Sequence, residues 1–211
     1  MTNFIPLFPL SIVVYPNEKL NLHIFEPKYQ QMITECFEDK KPFGIPVVIN
    51  EVMNDCGTLM EIVEISNRYP TGEMDIKTQA IKVFEVLEPI HSIPGKLFSG
   101  AIVTYPGNDE NSNQFLKSKV LLSLQILHKM LQVEKPVRKM EDLRSYDIAH
   151  EVGFTLQQEY ELLILMDELH RLEYLKRHLA QVIPVVAEME SLKEKIKLNG
   201  HFKNISGFNI K

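Results

Sequence analysis

The residues of this chain whose types and spacing suit chemistry are few, and they are scattered. Asp147 with His150, and His170 with Glu173, stand at helical i,i+3 spacing and could touch a metal ion. Two ligands do not make a site, and such pairs ordinarily form solvated or capping contacts. Glu26 lies between Phe25 and Pro27, a setting apolar enough for a perturbed general acid. The competing reading is a helix N-cap, where its carboxylate accepts orphan amides and meets the positive end of the helix dipole. Cys36 falls on the apolar side of a predicted helix and reads as a small buried hydrophobe. Cys56, in NDCGT, reads as a turn residue with no nearby base to favour a thiolate. The Gly95-Lys96 pair is followed by Leu97, not by the Ser or Thr of a phosphate-binding loop. No GxSxG elbow is present to project a serine nucleophile. The sequence therefore predicts a non-enzymatic protein that uses neither cofactor nor metal.

Composition narrows the class further. Hydrophobic residues make up 45% and charged residues 24% of the 211 positions, a balance that fits an ordinary globular protein. The net charge of -5 argues against binding a nucleic-acid backbone. The first 110 residues carry 8 basic and 15 acidic side chains, so the acidity belongs to that half. The apolar opening IPLFPLSIVVYP lacks a basic flank and is interrupted by Pro6, Pro9 and Pro16, so no signal peptide is expected. No window approaches the length of a membrane span. Two cysteines are too few for a disulfide framework, and a cytoplasmic location is expected.

Strand patterns occupy 12–16, 19–24, 44–49, 58–65, 73–90 and 97–106, rich in Val, Ile, Phe and Thr and bounded by Pro and Gly. Their mixed apolar parity suits a closed, heavily covered barrel. One early helix starts at Pro27, with Tyr29, Met32, Ile33, Cys36 and Phe37 as its stripe, and ends at Asp39-Lys40-Lys41-Pro42. After the polar loop 107–114 the period becomes helical. Leu116, Val120, Leu124, Leu127 and Leu131 predict a helix that stops before Pro136. A short helix over 146–152 ends at Gly153, and Thr155 with Gln158 forms a capping box ahead of EYELLILM. A long amphipathic helix runs from about 167 to 198, kinked at Pro184 and stopped by Asn199-Gly200. The expected division is 1–107, 108–200 and a loose tail, 201–211.

The run IPLFPLSIVVYPNEKLNLHIFEPKYQQMITEC, followed by KPFGIPVV and CGTLMEIVEISNRYPTGEMDIKTQAIKVFEV, resembles the N-terminal substrate-binding domain of the Lon family of ATP-dependent proteases. Phe25, Glu26, Pro27, Tyr29, Gly44 and Gly57 carry the signature, in the family's order. The segment YDIAHEVGFTLQQEYELLILMDELHRLEYLKRHLAQVI fits the family's leucine-rich helical part, so the likeness covers about residues 4 to 190. It departs at Thr78-Gln79-Ala80-Ile81-Lys82-Val83-Phe84, where the family usually has a glycine and a basic pair. The resemblance implies an α+β fold: a PUA-like β-barrel with one early helix, then an α-helical bundle. It further implies engagement of unfolded or damaged polypeptide. The ATPase and Ser-Lys peptidase modules of full-length relatives have no counterpart in this sequence.

The resulting expectation is a polypeptide-binding module, acting as an adaptor or holdase, with an ATP-dependent protease as a further partner. The alternative is RNA binding through the barrel. Tyr15, Phe43, Tyr69 and Tyr105, each beside a Pro or Gly or at a strand turn, are the candidate substrate-binding side chains at the barrel mouth. The broad stripe of the long helix is compatible with a homodimer.

Overall fold

The computed structural model describes residues 3–134 and 143–205, with side chains through residue 196. Among the described residues six strands and four α-helices follow in the order β1 (Asn3–Pro6), β2 (Lys19–Ile24), α1 (Pro27–Glu38), β3 (Phe43–Ile49), β4 (Val52–Arg68), β5 (Met74–Ile90), β6 (Gly100–Thr104), α2 (Gln114–Met130), α3 (Leu156–Leu163) and α4 (Glu168–Ile205). A 3-10 segment, Ser145–Glu151, sits between α2 and α3. This is the α+β arrangement expected.

All strand pairs are antiparallel, in the order β1-β6-β5-β4-β3, with β2 on the far half of β5. The ladder does not close into a continuous barrel, and that corrects one expectation. Only isolated parallel bridges, Leu7 to Gly44 and Leu10 to Val47, join the chain after β1 to β3. Pro6 and Pro9 explain the interruption, because neither has an amide to donate to a ladder. The Phe8 amide between them and the Leu10 amide after Pro9 still donate to the Gly44 and Pro46 carbonyls.

The strand expected at 12–16 is irregular, although Val13, Val14 and Tyr15 are buried. Side chains satisfy its backbone in place of a neighbouring strand. The Tyr15 amide donates to Glu18 and the Val14 carbonyl accepts from Thr58 Oγ1. β4 exceeds its predicted span at both ends. Its hairpin with β3 turns through Asn50 and Glu51, both at positive φ, as a two-residue turn of the primed kind requires. An Asn-Glu pair carries no glycine signal, so this turn was hidden. The strand expected over 97–106 shortens to β6, whose partner β1 offers only four residues.

α1 starts and stops where expected, but Phe37 is exposed, leaving Met32, Ile33 and Cys36 as the buried face. α2 ends at Met130, and the Pro136 assigned as its limit lies outside the described residues. The Thr155–Gln158 capping box forms as predicted. α4 continues through Pro184 and through the expected stop at Asn199-Gly200 to Ile205. A glycine in a helix interior costs only about 1 kcal/mol relative to Ala, which does not compel an end.

Two clusters hold the strand half together: Ile24, Met32, Ile33, Phe43, Ile45 and Met60 around α1, and Ile5, Leu59, Phe84 and Val103 beneath β1. The third crosses the expected boundary at 107. Val13, Tyr15, Val47 and Val83 pack with Val120, Leu124, Leu127, Leu162, Leu172 and Leu175 from the helices. Each fully buried side chain of this size contributes about 1.5–3 kcal/mol, so the two halves stabilise one another.

Candidate polypeptide-binding cleft

β1 pairs with β6 along one edge, and among the described residues no strand pairs with its other edge. That edge borders a cleft of about 490 Å³ formed by four separate segments. β1 supplies Phe4 and Pro6, the end of α1 supplies Glu35 and Asp39, the β5–β6 loop supplies Ile93 and Phe98, and the end of β6 supplies Tyr105. The floor is apolar. Phe4 is 46% exposed, and its ring lies over Gly100, where a Cβ atom would collide with it. The glycine is therefore what lets the ring settle on β6.

The rim is charged but balanced. Lys96 Nζ is 2.7 Å from Glu35 Oε2, and Lys41 Nζ is 2.8 Å from Asp39 Oδ2. Hydrogen bonds from Lys41 hold the Asp39 carboxyl below its ordinary range. Gln31 receives the Leu97 amide and donates to the Gly95 carbonyl, which fixes the loop carrying Phe98 against α1. The result is an apolar trough beside an unpaired strand edge, with cations and anions around it. Extended peptides bind such places by adding a strand and seating alternate side chains.

A second exposed surface lies at the far end of the sheet. Phe25 is 62% exposed, and the His23 ring sits 6.3 Å from it and 6.0 Å from Tyr69. Asp75 organises the group, accepting from Asn67, His23 and Tyr69, and these bonds lower its carboxyl to about 2.

The four sequence-predicted aromatics separate. Tyr105 lines the cleft, with Lys82 Nζ 3.9 Å from its ring centroid, and Tyr69 belongs to the second surface. Tyr15 and Phe43 are interior residues, and this corrects their placement at a mouth. Tyr15 stacks on Tyr146 and donates to the Glu159 carbonyl, while Phe43 packs in the α1 cluster near Phe8. Pro16 lies in a turn, as its flanking signal suggested, but Gly44 lies within β3, and both rings are buried. Phe4, Ile93 and Phe98 escaped sequence reasoning because the cleft is assembled from segments about 90 residues apart, and no local pattern marks them.

The remaining candidates resolve as structure. Glu26 holds the N-cap position, but its side chain caps no amide, contrary to expectation. Its main-chain carbonyl accepts from Tyr29 and Gln30, and its carboxylate pairs with Lys28 at 3.0 Å. Gly44 and Gly57 sit where another chain segment passes too closely for a side chain: Ile5 and Phe84 over Gly44, the Ile45 carbonyl over Gly57. Cys36 is buried, which pushes its thiol up to about 12. Cys56 lies in β4 and not in a turn, half-buried, its thiol raised mainly by burial. His150 contacts Glu159 and Glu18, and Glu173 pairs with Lys176. Among the described residues no His, Cys, Asp and Glu grouping could hold a metal ion, and no helix is long and apolar enough to cross a membrane.

Residues 5–193 match the family model of the ATP-dependent protease La (LON) substrate-binding domain. The chain belongs to this Lon substrate-binding domain family. Two solved structures share its fold. A Lon N-terminal domain protein from Xanthomonas campestris matches with a TM-score of 0.64 and 21% identity, covering 82% of this chain and 96% of that one. The N-terminal domain of the Lon protease of the Mycobacterium avium complex matches with a TM-score of 0.62 and 15% identity, covering 84% and 98%. Membership of the Lon family thus rests on nearly the whole chain. The match is to a substrate-recognition domain, which is a non-catalytic part of Lon.

Proposed function

We propose that this Lon-family domain recognises unfolded polypeptide and that the cleft beside β1 is where an extended segment binds. The observation that carries the reading is the coincidence of an unpaired strand edge with an apolar trough, walled by Phe4, Ile93, Phe98 and Tyr105. A bound segment gains main-chain hydrogen bonds from the edge and apolar burial from the trough, so it is selected for exposed hydrophobics and not for one sequence. Paired charges at the rim oppose any strong preference for acidic or basic clients. The domain acts without chemistry of its own, as a holdase or as an adaptor that presents clients to an ATP-dependent protease. The RNA-binding alternative draws no support from this cleft, whose rim carries as many carboxylates as lysines.

Self-association extends the reading. Val185, Met189, Leu192 and Ile196 of α4 are each more than half exposed, at spacings of four, three and four. That is the seam of a two-stranded coiled coil. In a parallel pair Glu188 of one copy faces Lys193 of the other, so a second copy of this chain fits the stripe in both shape and charge.

Binding is tested with fluorescein-labelled, carboxymethylated α-lactalbumin, which stays unfolded, followed by fluorescence anisotropy. Wild type should bind saturably, and Phe4→Ser with Tyr105→Ser should weaken binding by roughly tenfold or more, as loss of two aromatic anchors does. Undiminished binding by the double variant would exclude this cleft.

A further inference from the structure

Lys117 occupies an unusual place on α2. It precedes Val120, Leu124 and Leu127 in the buried stripe of the helix, at spacings of three, four and three, and is itself only 6% exposed. Lysine is almost never buried without a partner. Yet among the described residues the Lys117 ammonium has neither a hydrogen-bond acceptor nor a carboxylate in range. Among the described residues no buried side-chain nitrogen or oxygen is both sealed from solvent and unpartnered, so the ammonium is not entombed. It opens into a cavity of about 320 Å³ between the strand half and the helical half.

The walls of that cavity are cationic on balance. Arg171 is spent on Glu168, with Nη2 3.0 Å from Oε2, and also bonds Ser145 Oγ and Asn108 Oδ1. Arg144 pairs with Glu110 at 3.1 Å. Among the described residues three cations thus face two carboxylates, both already matched to an arginine, and Lys117 is the surplus charge. An unpaired ammonium in a low-dielectric setting is costly, and the protein retains one where a nearby carboxylate would have been the ordinary remedy. The cavity lies at the small end of the size range of ligand sites, and its lining is mostly polar.

We propose that this cavity binds a small oxyanion, of the carboxylate or phosphate class, with Lys117 as its charge partner and Arg144 beside it. The occupant completes the charge balance at the junction of the two halves and thereby stiffens it. The site is separate from the polypeptide cleft, sharing none of its lining residues.

Titration calorimetry of the intact protein with sodium phosphate, and separately with sodium acetate, at constant ionic strength set by chloride, tests the proposal. One of the two should bind saturably to wild type with one site per chain and raise the melting temperature. Lys117→Met keeps the aliphatic stem packed and should bind that anion roughly tenfold or more weaker. Without added anion the variant should melt no lower than wild type, because it removes an uncompensated charge. Failure of both anions to bind wild type, or equal binding by wild type and Lys117→Met, would overturn the proposal. The wild-type titration decides the first point however the variant folds.

Discussion

The Tyr15 hydroxyl donates to the main-chain carbonyl of Glu159 at 3.1 Å, joining residues 144 positions apart in the chain. Its ring stacks on Tyr146 with centroids 5.0 Å apart, and the His150 imidazole lies 4.8 Å away. Tyr15 is thus a bolt from the irregular segment after β1 into the helical half. The strand and helix halves expected as 1–107 and 108–200 share this bolt and the core around it.

A fragment ending at residue 107 is therefore expected to lack a cooperative transition. Cutting there uncovers Val13, Tyr15, Val47 and Val83, all packed on helices in the intact chain. Thermal unfolding followed by circular dichroism, with dye binding as a second probe, should show a broad transition and exposed apolar surface. A sharp transition in the fragment would mean that the halves fold independently.

His150 should make stability depend on pH in a defined window. Hydrogen bonds donated to the Glu159 carboxylate at 2.7 Å and the Glu18 carboxylate at 3.2 Å push the imidazole up to about 10 from the ordinary 6.5. A raised folded-state value means that the stabilisation is fully present below the unfolded value and is lost as pH rises through the folded one. The stability gap between wild type and His150→Gln should be widest below about pH 6.5 and close towards about pH 10. Urea midpoints across that window measure it. Because the ring is partly exposed, the gap is modest, and a constant gap would contradict the pairing.

Gly57→Ala should destabilise the strand half. Its Cβ would fall against the Ile45 carbonyl oxygen and Pro46 Cα, atoms of the neighbouring strand that cannot move aside as a flexible side chain can. Overpacking of this kind costs about 1–3 kcal/mol, which for a chain of this size lowers the melting temperature by about 2–12 °C. An unchanged melting temperature would show that β3 yields freely there.

Much of the fold was legible because the signals were local. β2, the start of α1, the Thr155 cap and the onset of α4 each depend on a few adjacent residues, and each lies where periodicity or capping chemistry places it. β1 was not legible, since four residues ending in a proline carry no strand period, and its partner lies about 95 residues away. The site was legible only at Tyr105 and, for the second surface, at Tyr69. Exposure is decided by what packs from elsewhere: Tyr15 and Phe43 have the same flanking signals and are interior. Lys117 reads as the polar side of a helix until the register of Val120 and Leu124 places it inward.

The seam on α4 predicts a dimer that one charge should break. Sedimentation velocity should show wild type as a dimer, and Leu192→Glu, which buries a charge in the seam, should shift it to monomer with unchanged secondary structure. A wild-type monomer at about 100 μM, where pairs with a micromolar Kd are largely formed, would rule out the pairing.

Hydrogen exchange of the intact protein, with and without unfolded carboxymethylated α-lactalbumin, tests most directly whether the cleft beside β1 takes an extended polypeptide. Strand addition should slow exchange at the Phe4 amide, the one in β1 that faces away from β6, and in the 93–98 loop, leaving Phe25 and the 69–73 turn unaffected. Protection confined to the Phe25–Tyr69 surface, or none along β1, would contradict the assignment.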